Sequence, residues 1–239
     1  MNMKWLLAAF SLISVGPAFA QQAVEATSAQ EIVVTGSRRE ADDYSDTMPI
    51  ITLRRTADFA VQEVRVAGDT REAGKRRDEI YAMIRGAIDL AGRYDVELAT
   101  GEYVVEPLTV ANYRNLPLSN DGRPDTDKTV FLVKTRLAPG VDAKTALDRI
   151  TRFLKAVPSV GRAEMTEKGD LTLSVVNPDQ YRPQIIGLIA ADAEATAAKF
   201  GTGYGVEVRG LDRPVEWARA SLTEVFLYLP SAYVVRPKN

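Results

Sequence analysis

The stretch that decides the fold runs from Asn177 to Arg209, NPDQYRPQIIGLIAADAEATAAKFGTGYGVEVR. Asn177 ahead of Pro178 marks a helix start, because an Asn side chain caps free N–H groups and proline tolerates the first turn. Ile186, Ile189, Ala190, Ala193, Ala197 and Phe200 recur at helical spacing and predict one apolar stripe. Gly201 supplies the stop. Tyr204, Val206 and Val208 then alternate with Glu207 and Arg209, as a half-buried strand does. Six alanines between Ala190 and Ala198 keep the helix surface shallow, so that it can lie close on a sheet.

Working upstream, the chain repeats this design. Pro49 opens an ordered region in which Ile51 and Leu53 alternate, and Val61 to Val66 offers a strand with Gln62, Val64 and Val66 on one face. Asp69 and Glu72 have the spacing of a capping pair. The helix that follows carries Ile80, Met83, Ile84, Ala87, Ile88 and Ala91 on one side and ends near Gly92. Strand-like residues run from Val96 to Val105. A polar excursion over 114–128 is explained by turn chemistry at Asn120-Asp121-Gly122 and Arg123-Pro124-Asp125. Thr129 to Leu137 is the clearest strand, with Val130, Leu132 and Lys134 opposite Phe131, Val133 and Thr135.

Asp142 caps a helix bearing Ala146, Leu147, Ile150, Phe153 and Leu154, stopped by Pro158. A hairpin is expected next, from Arg162 to Glu167, through a turn at Lys168-Gly169, to Leu171–Val176. Val215 to Leu229 alternates as one or two further strands, and Tyr233 to Lys238 is expected to trail off. The pattern predicts an α+β fold with antiparallel sheets, each covered by a long helix, and a smaller helix-plus-hairpin insert over about 138–176.

Composition sets the compartment and removes several chemistries. Among 239 residues there is no cysteine and no histidine. Residues 1–20 have the form of a secretory signal peptide: Lys4, an apolar run from Trp5 to Val15, and Ala18-Phe19-Ala20 as the cleavage site. Residues 21–48 are polar and read as a disordered linker, leaving 49–235 as the folded domain. No later run is long and apolar enough for a transmembrane helix. With 30 basic and 32 acidic residues, the charge does not fit a nucleic-acid binder. The basic run Lys75-Arg76-Arg77, surrounded by acids, reads as a solvated helix face.

Without His or Cys, histidine triads, thiol nucleophiles and the usual zinc sites are unavailable. No serine has a lysine three positions on, which removes the Ser-x-x-Lys dyad. Asp121, Asp125 and Asp127 miss the spacing of a calcium loop. Glu102 and Glu106 read as exposed strand carboxylates rather than a glycosidase pair. Gly201-Thr202-Gly203-Tyr204-Gly205 follows a helix and precedes a strand, the reverse of the order a phosphate cradle needs. The sequence therefore indicates no enzyme, cofactor or metal.

Two groups remain as candidate contacts. Ile32, Val33, Val34 and Thr35 lie in Glu31-Ile-Val-Val-Thr-Gly-Ser-Arg38, which resembles the segment with which TonB-dependent outer-membrane receptors reach TonB. Such a segment acts as an added strand, the alternative being an ordinary first strand or tail. Tyr103, Trp217 and Tyr228 are candidates for a ligand groove or a subunit interface.

Several motifs resemble the SIMPL-domain family of bacterial envelope proteins over roughly residues 50–235. These are Ala57-Asp58-Phe59-Ala60 with Val64-Arg65-Val66, then Leu98-Ala99-Thr100-Gly101-Glu102-Tyr103 running to Pro107 with Tyr113 beyond. The alanine-rich 191–201 segment leading into Gly205-Val206-Glu207-Val208 is the last. Arg54-Arg55-Thr56 departs from the family's Gly-x-Gly. The resemblance implies an exported α+β protein that self-assembles as a homo-oligomer and protects envelope integrity or resists oxidative stress, with no catalytic residues to carry over. The alternatives are a periplasmic small-ligand-binding module and an adaptor that contacts TonB or another outer-membrane partner.

Overall fold

The structure, a computed structural model, describes residues 31–34, 49–101, 105–138 and 141–238, with side chains of the first segment described for Glu31 and Ile32. The strands are β1 (Glu31–Val34), β2 (Leu53–Thr56), β3 (Phe59–Gly68), β4 (Glu97–Thr100), β5 (Glu106–Pro107), β6 (Ser119–Asn120), β7 (Asp127–Arg136), β8 (Ala163–Val176), β9 (Tyr204–Arg209), β10 (Glu216–Arg219), β11 (Glu224–Tyr228) and β12 (Ala232–Pro237). The helices are α1 (Ala73–Ala91), α2 (Ala143–Ala156) and α3 (Arg182–Ala198). A large sheet has the order β1-β8-β3-β7-β4-β5, with β6 also on β7; β10-β11-β2 and β12-β9 form two smaller sheets. Every described pairing is antiparallel. The mixed α/β class with antiparallel sheets is thus as expected.

One core lies where α1 and α2 cover the large sheet. Ile80, Met83, Ile84 and Ala87 of α1 and Ile150 and Phe153 of α2 meet Val64, Val66, Phe131 and Val133. Each such side chain, fully removed from water, contributes about 1.5–3 kcal/mol. The second core joins Ile32, Ala60, Leu173 and Val175 of the same sheet to Ile185 and Ile189 of α3, and to Val225 and Leu227 of β11. Asp142 caps α2 as its position predicts, accepting from the Thr145 N–H at 2.7 Å.

Several sequence expectations give way, each for a visible reason. The hairpin expected over 162–176 is one continuous strand, β8, lying between β1 and β3, so the strand part of the expected insert belongs to the main sheet, which α2 helps to cover. Gly169 adopts φ +68° in a bulge rather than in a reversing turn. Val61 lies opposite Thr172 but Glu63 opposite Lys168, so three residues of β8 face Gln62 alone. The Gln62 side chain fills that irregularity: it is 2% exposed and its Nε2 donates to the Lys168 carbonyl at 2.9 Å and the Gly169 carbonyl at 3.1 Å.

Asp69 and Glu72 do not cap α1. Arg162 takes the Asp69 carboxylate with two bonds, of 2.6 and 2.9 Å, and Glu72 makes no side-chain cap. Arg76, expected on a solvated face, is buried, with Nε on Asp127 at 2.6 Å and Nη1 on the Thr70 carbonyl at 2.6 Å. Asn177 sits at φ +45° without capping, a short 3-10 turn intervenes, and α3 starts at Arg182. The buried stripe of α3 is Ile185, Ile189, Ala193 and Ala197, at a steady step of four, while Phe200 is 59% exposed. The tail expected beyond Tyr233 is β12, which pairs with β9 along its full length. Gly210 makes that return path: its φ is +83°, and a Cβ there would come within 2.3 Å of the Pro230 carbonyl oxygen.

Residues 31–34, inside the stretch expected to be a linker, form an edge strand on β8 because Ile32 finds a place among Leu173 and Val175 in the second core. The Val105 N–H reaches the Glu31 carbonyl at 3.2 Å, so the residue just before β5 meets β1 and the large sheet curls toward closure.

Candidate functional site

The curl creates an enclosed region on the sheet face away from α1 and α2. Val61 of β3 lies opposite Lys134 of β7, and Phe59 opposite Ser174 of β8, so these side chains share that face. Phe59, Val61, Lys134 and Ser174 are all buried there. Glu31 reaches in from β1. Its Oε2 is 2.5 Å from Lys134 Nζ, and its Oε1 accepts from Ser174 Oγ at 2.6 Å. The Lys134 side chain is 6% exposed, with Glu97 at 3.6 Å as its second acid and the Phe59 ring centroid 4.1 Å away. An ammonium removed from water in this way needs a carboxylate beside it. The site thus holds a charge pair and a hydroxyl in a fixed arrangement. One clue to it is legible in the sequence, a lysine within the apolar strand Thr129–Leu137, but alternation alone assigns such a lysine to a solvated face.

At the far end of the same face lies an open cleft of about 340 Å³ lined by Arg65, Arg123, Arg162, Asp69, Asp121 and Glu164 among others. Its charges are largely matched within the protein. Asp121 pairs with Arg65 and with Lys128 at 3.1 Å, and Asp69 is gripped by Arg162. The Arg162 side-chain bonds hold the Asp69 carboxyl below the usual carboxylate range. Next to the cleft, Glu79 accepts from Thr70 Oγ1 at 2.5 Å and from the Arg162 backbone N–H at 3.2 Å, and these bonds, the threonine's first, lower its pKa as well. Among the described residues no group of three or more metal-ligating side chains comes together.

The third feature is the β9/β12 ribbon. Its inner face packs on α3, where the Tyr233 hydroxyl donates to Asp192 at 2.7 Å and lies 3.1 Å from Thr196 Oγ1. Among the described residues each strand has one edge without a neighbouring strand. Val234 is 49% exposed on β12, and Phe200, in ring contact with Tyr204 at 6.0 Å, is exposed where α3 runs into β9.

The candidate contact residues are dispersed. Ile32 is buried in β1; Val33 and Val34 lie opposite Ser174 and Leu173; Thr35 and Tyr103 fall outside the described residues. Trp217 lies opposite Leu227, so it shares that residue's face, and Tyr228, the next residue, points to the other. Trp217 and Tyr228 therefore do not line one groove.

No protein-family model matches the chain. It is 28% identical over 215 residues to the 26 kDa periplasmic immunogenic protein of Brucella melitensis, across 87% of this chain and 76% of that protein. The same-named protein of Brucella abortus strain S19 matches with the same identity and coverage. Among solved structures, a hydrolase from Listeria innocua and an uncharacterized conserved protein from that organism are each 13% identical. They cover 76% of this chain and 91% and 92% of their own, with TM-scores of 0.16 and 0.15, too low to indicate a common fold. Among the described residues no helix is long and apolar enough to cross a membrane.

Proposed function

We propose that this chain is an exported, non-enzymatic protein of the bacterial periplasm that works by assembling with copies of itself, as a structural or stress-protective component of the envelope. The observation that carries the reading is the β9/β12 ribbon. A two-stranded sheet is marginal by itself. This one packs on α3, and among the described residues each of its strands has one edge without a neighbouring strand, with Val234, Phe200 and Tyr204 exposed beside them. Pairing edge to edge with a second copy covers those apolar groups and satisfies the free backbone donors and acceptors. The N-terminal stretch with signal-peptide character, the likeness to the Brucella periplasmic proteins and the SIMPL resemblance over 50–235 support the compartment.

The ligand-binding alternative is weakened by Trp217 and Tyr228 facing opposite ways, and the TonB adaptor by the pairing of residues 31–34 with β8. Light scattering behind size exclusion tests the assembly. The expected result is a discrete multimer that dissociates in Val234→Lys, with far-UV circular dichroism unchanged. A wild-type monomer at every concentration tested overturns the reading.

A further inference from the structure

The small size of β1 is at odds with the strength of the site that receives it. Four residues make up the strand, yet Lys134, Ser174, Val175 and Leu173 form a prepared socket for it. Glu31 enters as a peg between Lys134 Nζ and Ser174 Oγ, and Ile32 is the plug of the second core. Without β1, the carboxylate left beside the buried ammonium among the described residues is Glu97, 3.6 Å away on a side chain more than half exposed. The socket therefore demands an extended segment with an acid followed by an aliphatic residue.

The connection out of β1 is long for the distance it covers. Residues 35–52 join β1 to β2, and 18 extended residues reach about 60 Å. Within one chain the gap is short. Cα atoms of β1 come within 8 Å of β10, and β10-β11-β2 are adjacent strands. Strand spacing puts the whole distance on the order of 20 Å. The surplus lets the strand reach a neighbouring molecule without strain.

We propose that β1 is an exchangeable strand: in the assembled protein, Glu31–Val34 of one copy docks on the β8 edge of a second copy, whose Lys134 and Ser174 receive the Glu31 carboxylate. The inference rests on the self-assembly reading. The contacts made within a chain and between chains are the same, so the choice depends on effective concentration. Copies held together through β9 and β12 raise the concentration of the neighbour's β1 until it competes with the chain's own, and each exchange ties two copies together.

The absence of native cysteine makes the test clean. Ile32 and Val175 lie directly opposite each other. Residues so placed have Cα atoms about 4.5–5.5 Å apart, within disulfide range. Full chains carrying Ile32→Cys or Val175→Cys, one of them mass-tagged, are mixed under native conditions and oxidised. The expected product is a mixed disulfide dimer that does not form when Leu222→Cys, at an exposed position, replaces Val175→Cys. Adding Glu31→Gln to the Ile32→Cys chain is expected to cut its yield several-fold.

The mass of the wild-type protein separates the two ways of failing. A multimer without the mixed dimer, while the Ile32→Cys/Val175→Cys double variant closes within single chains, overturns strand exchange and leaves assembly standing. A wild-type monomer without the mixed dimer overturns both.

Discussion

Replacing Gln62 with leucine tests whether the β8 bulge is held by a side chain or merely tolerated. Gln62 lies opposite three residues of β8, and its amide nitrogen has the carbonyls of Lys168, Gly169 and Glu63 within 2.9, 3.1 and 3.2 Å. An amide NH2 has two hydrogens, so two of these bonds are formed at full strength. Each contributes about 1 kcal/mol net, and an acceptor left without a donor in a dry site costs about 1–3 kcal/mol. Lys168 and Gly169 are exposed, which lets water reach the freed carbonyls and favours the lower figure. Leucine fits the buried site and adds no cavity, so the expected loss for Gln62→Leu is about 2 kcal/mol. Urea unfolding followed by circular dichroism reads it as a lower midpoint at unchanged slope. A loss below about 0.5 kcal/mol, the size of an ordinary surface substitution, would refute the reasoning.

Three other perturbations have defined outcomes. Gly210→Ala forces a side chain onto a φ of +83° and against the Pro230 carbonyl, so it costs more than the roughly 1–2 kcal/mol of the left-handed backbone alone; thermal melting should fall by about 2–4 °C for each kcal/mol. Ile185→Ala empties a fully buried site and costs about 2–5 kcal/mol, while Ile186→Ala, half-buried, costs clearly less; equal losses would mean the helix phase is wrong. Asp69 and Glu79 have folded pKa values below their unfolded ones, so their stabilisation is present above the usual carboxylate range and is lost as the pH falls through it. Urea midpoints should drop below about pH 4, and Glu79→Gln should flatten part of that dependence.

What could be read from the sequence follows from how local each signal is. The stripe of α1 and the cap of α2 depend on residues within a turn or two, and both are found as expected: Ile80, Ile84 and Ala87 are buried and Asp142 accepts from Thr145. The stripe expected on α3 takes Ile186 where the structure buries Ile185, because Ile185, Ile186, Leu188 and Ile189 crowd into five positions and tertiary packing selects 185 and 189. Gly169 after Lys168 is a turn signal wherever the chain must reverse. Here β8 pairs with β3 on both sides of the bulge, at 163–168 and 172–174, and with β1 at 173–176, and that pairing outweighs one glycine. The Glu31–Lys134–Ser174 cluster joins Glu31 to residues more than a hundred positions away and has no local signature. Trp217 and Tyr228, candidates for a ligand groove or a subunit interface, take opposite faces, because composition shows how many aromatics there are, not which face of a strand each one takes.

The buried polar groups share a property that explains why they persist in a core otherwise held by aliphatic packing. Gln62 joins β3 to β8, Arg76 joins α1 to the start of β7, Glu79 joins α1 to the residue before β8, and Glu31 joins β1 to β7 and β8. Each bond connects elements remote in sequence and reaches a single defined atom. Apolar faces of antiparallel strands tolerate a slip of two residues, because every second side chain returns to the same side. A polar contact does not: moved by two residues, Lys134 would lose Glu31 and Gln62 would lose the bulge carbonyls it donates to, a cost that no pair of aliphatic side chains incurs. Register in the long β3, β7 and β8 strands is therefore specified by a few polar atoms, while the aliphatic side chains supply most of the burial energy. The same division of labour explains how a strand as short as β1 has a defined place on the sheet: Ile32 gives it adhesion, and Glu31 gives it an address.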